Sequence, residues 1–301
     1  MPGWLLLVLA AIAFWSIGQL PWIVTGMRLG ISDAWPDVPP RGAPRVALPF
    51  NEYAFQPLLV GGVIGGAAAV ALSSWAAPSV RWRRTLAATA GLLALLIALG
   101  HTLQVVDGEL GERREARLLV VALVGFALVS GVVGLLAGAV LARGRHGLAW
   151  PVAAALVAGL AGPWLNDLVH RSPALDGSWT DTVARWHPWV GGALLGICLA
   201  VWGARPAVRL IGTVAALAVL WVVPAALTAL GYVTYYGTRT SPSRQTVREV
   251  LDSGRDVFVE ALKQTSAPVV GPLILALLLG LVGAVVTGSP SRPTPGVAPT
   301  A

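Results

Sequence analysis

Apolar residues fall along this chain in long unbroken runs, neither alternating nor confined to one helical stripe. Eight runs stand out, at 4–25, 54–77, 85–106, 118–142, 149–168, 186–203, 210–236 and 267–287. None contains Lys, Arg or Glu, and their single Asp is Asp167, at the end of the fifth. A helix of about 20 apolar residues spans the hydrocarbon core of a bilayer. Inside hydrocarbon each backbone polar group must be paired within its own element, so runs without period-2 alternation predict helices rather than barrel strands. The expected fold is an all-α integral membrane protein with eight transmembrane helices. A mean hydropathy of +0.73 with 12% charged residues agrees and excludes an ordinary soluble domain. Met1–Gly26 lacks the basic start of a secretion signal and is too long for its apolar region, so it is expected to stay as the first helix.

The polar segments between the runs are of two kinds. Those around 78–84, 142–148 and 203–209 and the tail after 287 carry only Arg: Arg81, Arg83, Arg84, Arg143, Arg145, Arg205, Arg209 and Arg292. All 14 acidic residues lie in the runs' ends or in the other set. Short Arg-bearing loops mark the cytoplasmic side, which places both termini there. The opposite side holds more basic residues in total but spreads them over longer segments, and Arg113, Arg114 and Arg117 run against the assignment. Trp4, Trp75, Trp82, Trp150 and Trp202 then form an inner aromatic belt, and Trp22, Trp164, Trp186 and Trp189 an outer one.

An internal repeat changes the picture further. Pro21-Trp22 near the end of the first run recurs as Pro163-Trp164 near the end of the fifth. Trp35-Pro36-Asp37 recurs as Trp179-Thr180-Asp181. The second run opens Gln56-Pro57-Leu58-Leu59-Val60-Gly61-Gly62, and the sixth His187-Pro188-Trp189-Val190-Gly191-Gly192. They leave through Trp75-Ala76-Ala77-Pro78 and Trp202-Gly203-Ala204-Arg205-Pro206, and Gly134 to Val140 in the fourth run resembles Gly280 to Val285 in the eighth. The order of these landmarks predicts two fused four-helix repeats, 1–146 and 147–287. Four spans each make the repeats parallel, related by a pseudo-two-fold along the membrane normal. Gly61, Gly62, Gly65 and Gly66, with Gly191, Gly192 and Gly196, let backbones approach closely. Their helices are candidates for the contact at the pseudo-axis, beside the plainer reading of ordinary small-residue packing. The segment 237–266, before the last span, carries Val247, Val250, Leu251, Phe258 and Leu262 on one helical face. It reads as an amphipathic extracytoplasmic helix, with starts at Ser241-Pro242 or Thr246. The Pro-rich tail 288–301 is expected to be disordered.

Candidate chemistry is sparse. The pI of about 10.7 does not indicate nucleic-acid binding, since the Arg residues are scattered over short loops without a basic stripe. Twenty of the 21 basic residues are Arg, which points to a high-GC bacterial genome and hence the bacterial plasma membrane. Cys198 stands alone, so no disulfide or cysteine metal site is expected. No mid-span acid or base marks a proton relay. Polar groups gather toward the outer face: His101, Gln104 and Asp107 end the third run, and Asn166, Asp167 and His170 end the fifth. They form a candidate substrate-binding cluster, against the simpler reading that polar residues belong at helix ends. Asp33, Asp37, Asp176 and Asp181 in outer segments are compatible with an outer-face transferase acting on lipid-linked donors, beside the plainer and favoured reading of solvated loop acids. No phosphate loop, nucleophile elbow or metalloprotease motif occurs. The pattern assigns no catalytic residue, metal or cofactor. The bilayer is the expected partner, with a second copy or a membrane complex open. Three readings stand: a transport-type protein with a pathway between the halves, favoured by the repeat and by Pro224; a non-transporting subunit or scaffold; and the transferase.

Overall fold

A computed structural model describes residues 2–29, 44–51, 53–76, 81–109, 114–145, 147–172, 177–203, 208–237 and 244–287. Asp33, Asp37, Asp176, Ser241-Pro242 and the tail 288–301 lie outside them. Among the described residues the chain is all-helical: α1 (Gly3–Gly18), α2 (Leu20–Ile23), α3 (Phe55–Ala76), α4 (Arg81–Glu109), α5 (Arg114–Leu141), α6 (Ala149–Arg171), α7 (Gly177–Trp202), α8 (Val208–Gly237), α9 (Arg244–Lys263) and α10 (Ala267–Thr287). Among the described residues the only β-type pairing is an isolated antiparallel bridge between Arg28 and Arg45. Six helices, α3, α4, α5, α6, α8 and α10, are long and apolar enough to cross a membrane, the mark of a multi-pass membrane protein. Large apolar side chains such as Ile97, Val121, Val214, Leu281 and Val285 point outward in numbers that water would not tolerate but lipid does.

Two of the eight expected spans differ, each for a local reason. The first run breaks after Gly18. Pro21 has no N–H to give the Ile17 carbonyl four residues back, so α1 stops and a short turn, α2, restarts beyond Gln19. The sixth run begins earlier than expected. Helix α7 extends back to Gly177 and takes in Trp179-Thr180-Asp181 and Arg185, polar residues read from sequence as loop. Asp181 is exposed on its first turns.

The packing is organised around α3 and α7. Helix α3 is gripped by α1 on one side and α5 on the other, with α4 against α1, α3 and α5. Helix α7 is gripped by α6 and α10, with α8 against α6, α7 and α10. Adjacent glycines serve the two sides. A Cβ at Gly61 would lie 2.8 Å from the Gly18 carbonyl oxygen of α1, and one at Gly66 would lie 2.6 Å from the Leu135 nitrogen of α5. A Cβ at Gly65 would strike the Phe14 carbonyl of α1, and one at Gly62 the Ser130 hydroxyl of α5. On α7, Gly191 faces the Ala158 carbonyl of α6 at 2.8 Å, Gly192 faces Pro272 of α10, and Gly196 faces Leu279 of α10 at 2.7 Å. These glycines therefore close contacts within each half, not at an axis between α3 and α7. Only a residue without Cβ lets α3 and α7 touch two neighbours at once. Ser130 adds a bond across the α3–α5 contact, donating to the Leu58 carbonyl at 3.1 Å.

The halves meet through α6, which packs on α2, α3 and α5, and through α8 on α3. Val60 and Val63 of α3, Leu160 of α6, and Val223 and Leu227 of α8 form the buried seam. The tryptophans divide differently from the two expected belts. Trp4, Trp82 and Trp186 are exposed. Trp22, Trp150 and Trp202 are buried. Trp150 and Trp202 stack in parallel at 5.7 Å, and the Arg209 guanidinium caps Trp202 at 5.1 Å. An indole inside the protein finds its hydrogen-bond partner there instead of at the lipid surface.

Candidate functional site

The break between α1 and α2 creates the main polar feature of the interior. Interrupting a helix frees carbonyls, and one of them is the Ile17 oxygen left by Pro21. The indole Nε1 of Trp164 donates to it at 3.0 Å, from the other half of the chain. Trp164 follows Pro163, so the recurring Pro-Trp pairs face each other across the seam. The Trp22 indole turns the other way and donates to the Val46 carbonyl at 2.9 Å. Between them lies a cavity of about 10 Å³ lined by Gly18, Gln19, Trp22, Gly61, Trp164 and Asp167, with Pro21, Pro49, Pro57, Val60 and Arg171 completing the wall. That is room for one water molecule.

Gln19 is the group the geometry singles out. It is 3% exposed and its backbone N–H closes α1 on Trp15. Among the described residues its carboxamide has no hydrogen-bond partner. Its polar atoms are not among the fully buried unsatisfied ones and the residue lines the cavity, so a water or solute there is its natural complement. At the cavity's edge Asp167 pairs with Arg171 at 3.2 Å, both side chains about one-third exposed. The cavity therefore offers an amide, a carboxylate and a guanidinium between apolar Trp and Pro rings.

The six expected site residues do not form one cluster. Helix α4 packs on α1, α3 and α5, whereas α6 packs on α2, α3, α5, α7 and α8. Their outer ends are not laid along each other, and the expectation that they would be is what the packing overturns. His101, Gln104 and Asp107 are exposed on α4. Gln104 and Asp107 border an open groove of about 280 Å³ with Leu103, Val106 and Val120. His170 is exposed, its Nδ1 2.9 Å from the Asn166 backbone oxygen, a contact within its own helix. Asp167 alone reaches the cavity between the halves. Among the described residues no three of His, Cys, Asp and Glu are grouped to hold a metal ion.

Sequence reasoning passed over Gln19, though a polar residue inside an otherwise apolar run, two before Pro-Trp, was a visible signal. It also missed a strap. Val46, Leu48 and Phe50 are each at most 1% exposed and insert into the core of the first half. The Leu48 N–H donates to the buried Thr102 hydroxyl at 3.0 Å, and Thr102 donates on to Ala98 at 2.8 Å. The alternation Val46, Leu48, Phe50 is the signature of an extended segment with one face buried. The strap seats Pro49 in the cavity wall.

No protein-family model matches the chain, and comparisons with curated proteins and with solved structures return no match.

Proposed function

We propose that this chain is a transport-type membrane protein of two fused four-helix repeats, with its pathway between the halves at the Gln19 cavity. Helix α1 with α2, and α7, complete eight spans with the six long apolar helices. The repeat pairs α1 with α6, α3 with α7, α4 with α8 and α5 with α10. Its support is twofold: the ordered sequence landmarks, and packing partners that correspond one for one under this pairing. A glycine closes the first contact of each half: Gly61 meets the Gly18 carbonyl of α1, and Gly191 the Ala158 carbonyl of α6. The protein sits in the bacterial plasma membrane with both termini inside.

One observation carries the transport reading: a helix interrupted by Pro and the Pro-Trp of its counterpart converge on a small, partly open cavity lined by the Gln19 amide. Transporters place substrate where helices break at the interface of two repeats; here α1 breaks, while its counterpart α6 runs on through Pro163. The cavity's chemistry suits a small polar solute, hydrogen-bonded by Gln19 and bounded by indole rings. The outer His101–Gln104–Asp107 surface then lies outside the pathway. The competing reading, a non-transporting subunit, is favoured by the cavity's small volume and by spans without buried charge. Spin labels at Thr25 and Ser172, on either side of the cavity, separate the two in reconstituted bilayers. Alternating access gives two distance populations, and a single narrow distribution under all conditions would reject it.

A further inference from the structure

Helix α9 carries a second, independent feature. Its two ends are tied to one face of the membrane, since α8 enters it and α10 leaves it after three residues, Gln264 to Ser266. Gly254 packs on Val233 near the end of α8, beside a cluster in which Tyr236 contacts Tyr232 at 4.5 Å and Tyr235 at 5.1 Å. Tyrosines gather at the level of lipid headgroups, so α9 crosses α8 at that level.

At 3.6 residues per turn the α9 side chains sort into three strips. Val250, Gly254, Val257 and Ala261 turn toward α8. Next to them run Arg248, Leu251, Arg255, Phe258 and Leu262, spaced alternately three and four residues apart. Beyond lie Glu249, Asp252, Asp256 and Glu260. The middle strip is only partly covered by the protein: Leu251 is 55% exposed, with Val247 beside it at 49%, and Phe258 and Leu262 are half-buried. Among the described residues neither Arg248 nor Arg255 has an ion-pair partner. The acids, by contrast, stand on the side farthest from the apolar edge.

We propose that this middle strip is a lipid-binding surface that takes anionic phospholipid. Leu251, Phe258 and Leu262 enter the headgroup boundary, and Arg248 and Arg255 reach the phosphates while their aliphatic stems lie on the apolar edge. Continuity with the tyrosine cluster and the membrane-spanning end of α8 commits the surface to lipid over a soluble protein. Asp252 lies one turn from both Arg248 and Arg255 but pairs with neither among the described residues, which leaves two cations on the strip's edge and commits it to anionic headgroups.

The test uses the full chain with Cys198→Ser, reconstituted in bilayers of phosphatidylcholine alone or with phosphatidylglycerol. An environment-sensitive dye is placed at Leu251→Cys or Asp256→Cys. The Leu251→Cys dye should be quenched by lipid-borne nitroxide and shielded from iodide, and the Asp256→Cys dye should show the reverse. Phosphatidylglycerol should strengthen the Leu251→Cys quenching, and Arg248→Gln with Arg255→Gln should remove that increment. Arg248, Leu251, Arg255 and Asp256 are all exposed, so substitutions there leave the helix packing intact. Equal iodide access at the two positions in both bilayers would overturn the proposal. So would shielding of Leu251→Cys seen in native membranes but lost on reconstitution, which is the result a protein partner gives.

Discussion

Replacing Gly66 by Ala tests the packing scheme where it is tightest. An added Cβ would sit 2.6 Å from the Leu135 nitrogen, 2.7 Å from the Gly134 carbonyl carbon and 2.9 Å from the Gly131 oxygen. All three are backbone atoms of α5, which cannot turn away as a side chain can. Ordinary contact lies at about 3.5–4 Å, so α3 and α5 must separate by roughly 1 Å at this point. A gap of that size forfeits about a quarter to a half of each neighbouring dispersion contact, and overpacking of this kind costs about 1–3 kcal/mol. Against it stands the better helix propensity of Ala, at most about 1 kcal/mol. The net expectation is a loss of about 1–2 kcal/mol. Gly125, on the same helix α5, supplies the control, because nothing lies within 4 Å of its Cβ direction. Gly125→Ala should leave stability unchanged or slightly raised. Denaturant titration of the purified protein in detergent, followed by tryptophan emission, reads both. Equal midpoints for Gly66→Ala and Gly125→Ala would refute the close contact of α3 with α5.

Two further outcomes are expected. Trp164→Phe keeps the aromatic bulk but removes the donor to Ile17, and should destabilise the protein by about 1 kcal/mol; an unchanged midpoint would show that the two halves are not joined by this bond. On the proposed topology an impermeant thiol reagent applied to intact cells should label Cys at Asp256 but not at Ser79 or Ser291, and the reverse pattern would invert it.

The membrane class was legible because unbroken apolar runs have no stable alternative to helices in lipid. Six of the eight runs coincide with one helix each, within a few residues at either end. The exceptions have physical causes. Hydropathy does not register that Pro21 cannot donate an N–H, so the break at Gln19 passed as continuous helix. Trp179 to Arg185 are polar yet helical, because a helix need not end at the apolar boundary. The glycines of α3 and α7 were recognisable as packing residues, but which neighbour each meets depends on adjacent positions facing different partners, as Gly61 and Gly62 do. The candidate cluster at His101, Asp107, Asp167 and His170 rested on two helices packing together. Sequence spacing fixes which residues share a helix face and carries no information about which helices become neighbours. Gln19 drew no notice because an uncharged amide scarcely disturbs an apolar run, although the residue is buried and lines the cavity between the halves.

The most direct measurement of the central claim is the two-sided accessibility of position 19. Gln19→Cys in the Cys198→Ser background is treated with a small impermeant thiol reagent in right-side-out and in inside-out vesicles. A pathway that opens alternately between the halves predicts labelling from both sides, slowed when Thr25→Cys and Ser172→Cys are bridged by a bifunctional reagent that holds the halves together. Labelling from neither side, or from one side alone with the same rate whether or not the halves are bridged, would contradict a transport pathway through this cavity.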